Sequence, residues 1–191
     1  MNKIEALIAE LICGDDKRAE VAASELVSFG KRAIPALLHL LESEQEDIRW
    51  WAIRTLAEIQ DECIPPVLIE SLNDPDETIR HCAALALRYH PNEAAIPTLI
   101  AALNSPDSLL AQLAADALIA IGKSAVEPLI EVVQGSNQSA RLEAVRALAK
   151  IADTRAIPTL YAVLDENSAA LEYWANEGLE RMGVGMLYFK P

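Results

Sequence analysis

The 191-residue chain has 29 acidic and 16 basic side chains, a formal charge of −13. Such a surface repels phosphate backbones and anionic lipid, so neither nucleic-acid nor membrane binding is expected. Hydrophobic residues make up 52% and aromatics 5%, an Ala/Leu/Ile mixture suited to close helix packing.

The first stretch, MNKIEALIAELI, alternates apolar residues with Lys3, Glu5 and Glu10. It predicts an amphipathic helix with a polar side, and its acids do not fit a leader peptide. Further on, Pro35, Pro66, Pro97, Pro128 and Pro158 follow one another at steps of 31, 31, 31 and 30 residues, and AIPTLIAAL (95–103) returns as AIPTLYAVL (156–164). A fixed period of this size predicts a stacked repeat array. Six units follow, at about 1–32, 33–62, 63–94, 95–124, 125–155 and 156–183, together one repeat domain over 1–191. Each unit predicts two helices. The first opens at Ile-Pro, where the missing proline N–H would have no partner anyway. Leu37, Leu38 and Leu41, then Leu99, Ile100 and Leu103, give it an apolar face. Ser43, Asp74, Ser105, Ser136 and Asn167 are expected to cap the second helices, with Pro75 and Pro106 in the first helical slot.

The second helices align without gaps as IRWWAIRTLAEI (48–59), IRHCAALALRYH (79–90) and ARLEAVRALAKI (140–151). Ala52, Ala83 and Ala144 give the small contact. Leu56, Leu87, Leu118, Leu148 and Leu179 give the large one. Gly183 is expected to end the last helix. In the tail 184–191, Met186, Leu187, Tyr188 and Phe189 read either as a lid folded over the last unit or as a docking segment.

The Ile-Pro-x-Leu opening at IPALL (34–38), the Asp-Pro loop in NDPDETIRHCAALAL (73–87) and the slots of Arg49, Arg80 and Arg141 resemble the HEAT repeat family. Within it, they are similar to the HEAT-like repeats of phycobilin lyases. The resemblance implies an all-α fold, a right-handed α-α superhelix of about six helix pairs. It also implies a hydrogen-bonded ladder through the loops, interrupted where Ala111 and Glu172 replace the arginine.

In such arrays the second helices line a concave face. A helical wheel over 48–59 turns Ile48, Ala52, Leu56 and Ile59 inward and Trp50 and Arg54 outward. Carried across the repeats, the outward slots select Trp50, Arg54, His81, Arg88, Gln112, Arg146 and Tyr173 as candidate protein- or ligand-binding residues, because aromatic and arginine side chains dominate binding hot spots. Against this stands packing between adjacent second helices, above all for Trp51 and Trp174.

No catalytic residue, metal site or cofactor is expected. The histidines occur as His39-Leu40, His81-Cys82 and His90-Pro91, without the His-Glu pairs that HEAT-like deoxyhypusine hydroxylase uses for iron. Cys13, Cys63 and Cys82 are too scattered for a disulfide framework or a thiolate metal site, which fits a reducing, cytoplasmic setting. The chain reads as a non-enzymatic scaffold whose partner is a protein with basic or apolar groups. The resemblance adds a bilin lyase-type subunit acting on a phycobiliprotein, and a helper of an iron–sulfur carrier.

Overall fold

The computed structural model describes residues 2–166 and 168–184. The helix pairs fall into two compact units. The first, Met1–His90, contains α1 (Lys3–Leu11), α2 (Asp16–Phe29), α3 (Ile34–Leu40), α4 (Glu46–Ala57), α5 (Ile64–Ser71) and α6 (Glu77–Leu87). The second, Pro91–Pro191, contains α7 (Ile96–Leu103), α8 (Ser108–Ile121), α9 (Val126–Val133), α10 (Gln138–Ile151), α11 (Ile157–Leu164) and α12 (Ala169–Arg181). No strand occurs among the described residues.

The period's prolines all fall in a first helical turn, though Pro66 and Pro128 are third in α5 and α9 rather than at the opening. Pro35, Pro65, Pro97 and Pro158 lie in the first two positions of α3, α5, α7 and α11, where no intrahelical donor is lost. In each unit the second helices pack on one another and on their own first helices: α2–α4–α6 in the first unit, α8–α10–α12 in the second. The contacts are built from the repeated small and large residues. Ala52, Ala83 and Ala144 are fully buried, as are Leu56, Leu87, Leu118, Leu148 and Leu179. A methyl side chain lets two helix axes approach to roughly 8 Å. Each buried leucine contributes about 2 kcal/mol of transfer free energy.

The caps lie one or two residues beyond their expected positions. Gln45, Asp76, Asp107, Asn137 and Ser168 are the N-cap residues of α4, α6, α8, α10 and α12. Ser43, Asp74 and Ser105 brace the turn before the helix instead. Each accepts the backbone N–H two residues on, from Gln45, Asp76 and Asp107 at 3.2, 2.8 and 3.2 Å. Pro75 and Pro106 therefore precede their caps and are not the first helical residues. Ser136 precedes the true cap, Asn137, by one position. The cap expected at Asn167, and the tail residues 185–191, lie outside the described residues.

The arginine slots staple the loops. Arg49 grips the Asp74 carboxylate through Nε and Nη2, both at 2.9 Å, and donates through Nη1 to the Ser43 and Glu44 carbonyls. Arg141 repeats this in the second unit, joining the Val133 carbonyl to Glu166. At position 111 the slot holds a buried alanine, which has no donor to continue the ladder.

The stretch Ser108–Val133 is strongly apolar, with a mean hydropathy of 1.5 over an 18-residue window within it. It is not one straight rod. Gly122, at φ 82°, ends α8, and a short 3₁₀ turn over Gly122–Ala125 leads into α9. A side chain would disfavour that left-handed backbone, so the glycine sets the break.

Candidate functional site

Unit 1 has an open groove of about 660 Å³. Its floor is Ile12, just past the end of α1, together with Ile48, Trp50 and Trp51 on α4. Its rim is acidic: Asp16 and Glu20 from α2, Asp47 from α4. Helix starts explain Asp16 and Asp47, since carboxylates in the first turn favourably meet the positive end of the helix dipole.

The two tryptophans stack edge to face, with centroids 4.9 Å apart and an interplanar angle of 81°. Both are half-buried. Arg54, one turn on, lays its guanidinium 5.6 Å from the Trp50 centroid and 5.2 Å from that of Trp51. Its Nη2 donates to the Glu20 carboxylate at 2.8 Å, and that bond holds the guanidinium more firmly protonated than usual. Cys82 lies nearby on α6; burial pushes its thiol up to about 11, against the opposing pull of Arg54.

The structure brings Trp50 and Arg54 together and adds Trp51, which the sequence reading assigned to packing, and Asp16 and Asp47, which it did not single out. The signal that would have found them is the unpaired acids facing an aromatic pair across two adjacent helices, which a single-helix wheel does not show. The other candidates of this unit lie apart from the groove lining. His81 is half-buried, and Arg88 is exposed with its guanidinium 5.8 Å from the Tyr89 ring. His90 is buried, its Nε2–H donating to the Ala57 carbonyl at 2.6 Å.

In unit 2, Gln112 and Tyr173 are exposed, and Tyr173 meets Trp174 edge-on at 5.1 Å. Arg146 departs from expectation. It is 9% exposed, and its guanidinium is used internally by Asp116, Glu143 (2.7 Å each) and the Gln112 carbonyl. Two carboxylates within its reach draw the side chain down onto the helices, so it offers no free charge to a partner. A second groove in unit 1, of about 500 Å³, has Leu38, Leu41 and Val67 in its floor and no aromatic in its lining.

The helix pairs, the loop staples and the buried Ala/Leu rows match a known family. The family model for HEAT repeats matches residues 4–88 and 65–134. The chain belongs to the HEAT repeat family. A model for the PBS lyase HEAT-like repeat matches 140–166. The phycocyanobilin lyase subunit beta of Pseudanabaena tenuis (strain PCC 7409) is 48% identical over 48 residues, 25% of this chain. The chain spans only 17% of that subunit. Among solved structures, the complex of CpcE and CpcF of phycocyanin lyase from Nostoc sp. PCC7120 gives a TM-score of 0.58 at 25% identity, covering 96% of this chain and 78% of that one. The archaeal HEAT-like repeats protein from Thermococcus onnurineus NA1 gives 0.66 at 19% identity, covering 95% and 80%. The fold is therefore an all-α HEAT-like solenoid.

Proposed function

We propose that this HEAT-repeat protein is a non-enzymatic adaptor that holds a protein partner on the outward face of its second helices, with the Trp50–Trp51 groove as the anchor. The observation that carries the reading is the groove itself: two half-buried tryptophans beside Ile12 and Ile48, open to solvent and rimmed by three carboxylates. Aromatic anchors in a partly dry concavity are where binding energy concentrates. An acidic rim selects a partner with basic and apolar groups.

The likeness to phycocyanin lyase subunits supports a second reading, a bilin lyase-type subunit serving a phycobiliprotein. A bilin carries propionates. In this groove they would meet Asp16, Glu20 and Asp47, and the one cation among the described lining residues, Arg54, is already paired with Glu20. The groove therefore favours the protein partner.

The test is capture from source lysate by the intact protein and by Trp50→Ala, with identification of the bound proteins and a visible spectrum of each eluate. A specific protein in a colourless eluate, lost in the variant, is the expected result. A coloured eluate lost in the variant installs the lyase reading. Equal capture by both proteins shows that the anchor lies elsewhere.

A further inference from the structure

Arg54 shows what the groove is built to hold. Its guanidinium rests against Trp50 and Trp51 and is tied by Glu20 at 2.8 Å. An aromatic pair plus a carboxylate is a guanidinium site: the planar cation stacks on the ring while its N–H fork meets the oxygens. The groove is occupied by an arginine of its own chain. Two further carboxylates on the rim, Asp16 and Asp47, form no ion pair among the described residues. More negative charge surrounds the tryptophans than Arg54 neutralises.

Resting on the docking reading above, we propose that the groove recognises an arginine in a partner segment, and that Arg54 is a resident stand-in which the incoming arginine displaces. Asp16 and Asp47 attract the incoming cation. As it reaches the tryptophan faces, Arg54 swings out and Glu20 transfers its hydrogen bond to the newcomer. Ile12 is 39% exposed beside the rings and gives an apolar neighbour of that arginine a place to rest. The occupant is a protein segment with arginine next to an apolar residue. A polyanion is repelled by the rim and by the net charge of −13.

The exchange has a consequence that a simple contact lacks. If Arg54 competes with the ligand, removing it strengthens binding. If Arg54 itself grips the partner, removing it weakens binding.

The experiment is a titration of the full chain with the peptide acetyl-Leu-Arg-Leu-Arg-Leu-amide and its lysine and citrulline analogues. It is followed by intrinsic tryptophan fluorescence, since two of the three tryptophans line the groove. The arginine peptide is expected to saturate, the lysine peptide to bind roughly threefold more weakly for want of a stacking plane, and the neutral citrulline peptide not to bind. Arg54→Ala is expected to tighten the arginine peptide by roughly fivefold as the ring faces are freed. Should that variant melt early by circular dichroism, Arg54→Gln serves in its place. Asp16→Asn/Asp47→Asn is expected to weaken binding by about tenfold. Glu42→Gln/Glu70→Gln removes the same charge from the second groove and is expected to change nothing.

Weaker binding in Arg54→Ala, or equal losses in the two charge variants, overturns the proposal in favour of an anion-bearing partner or of bulk charge respectively. No saturation by any peptide, with capture of a lysate protein still dependent on Trp50, removes the arginine assignment and leaves the docking reading standing. Peptide saturation with Trp50-independent capture removes the docking reading instead.

Discussion

Several arginines of this chain are held by carboxylates of the same chain. Arg146, Arg49 and Arg141 are each about one-tenth exposed and each is held by a carboxylate, so none of the three is available to a partner. The cysteines differ in the same way. Cys13 is exposed, while Cys82 is half-buried and its thiol is pushed up to about 11 by burial. Cys63 is also raised, because its thiol proton is held by a hydrogen bond to the Asp61 carboxylate, with partial desolvation adding to the effect. At about pH 8 roughly one Cys82 thiol in a thousand is ionised, and only the thiolate attacks. Titration of the native protein with Ellman's reagent is therefore expected to modify Cys13 quickly, Cys63 more slowly and Cys82 slowest of the three. The Cys82 rate should climb about tenfold per pH unit while the pH stays below its pKa. Equal rates for Cys13 and Cys82 in the native state would contradict the burial.

At the scale of helices, the close contact between α10 and α12 centres on Gly178. This glycine is in mid-helix and buried. Intrinsic propensity favours alanine there by about 1 kcal/mol. Sterics oppose it: a Cβ would sit 2.8 Å from Ala149 Cα, 2.8 Å from Leu160 Cδ1 and 3.0 Å from Ala149 Cβ. Leu160 can turn aside, but the Ala149 backbone moves only if α10 moves. Overpacking of this kind costs about 1–3 kcal/mol, so the clash exceeds the propensity gain. Gly178→Ala is expected to lower the urea midpoint with an unchanged slope. A neutral or raised midpoint would show that α12 can lift off α10 freely. The end of α12 is secured separately: Gly183, at φ 75°, lets the Val184 N–H reach the Leu179 carbonyl, and the Tyr161 hydroxyl donates to the Val184 carbonyl.

Over the molecule as a whole, a formal charge of −13 on 191 residues sets the response to salt. Folding concentrates those charges, and self-repulsion opposes the compact state. Exposed pairs such as Arg18–Glu10 and Lys3–Glu25 work in the other direction, but pairs of that type contribute at most about 1 kcal/mol each. Raising NaCl from about 10 mM to about 0.3 M shrinks the Debye length from about 30 Å to under 10 Å, so distant repulsion is screened first. The melting temperature is expected to rise over that range when followed by circular dichroism. A fall would mean that the surface pairs outweigh the repulsion.

The sequence by itself determined the helix pairs and their core. A proline period of about 31 marks the first helices of every unit but the first, because only the first turn tolerates a missing N–H. Apolar residues at helical spacing mark the buried rows, because a helix projects them onto one face whatever it packs against. These are local rules, and Ala52, Leu56 and their counterparts obey them. The family pattern was legible for the same reason. The tertiary structure alone decided the caps, the fate of Arg146 and the groove. A cap depends on the backbone angles of one loop residue, so Ser43 and Asp74 could match the spacing and still brace a turn two residues early. Arg146 has outward helical phase, yet two carboxylates, one of them on the neighbouring α8, pull its long side chain down onto the helices. The groove joins Asp16 and Glu20 on α2 to Trp50, Trp51 and Arg54 on α4 (partners some 30 positions apart in the chain), and only the packing of α2 on α4 sets them against each other.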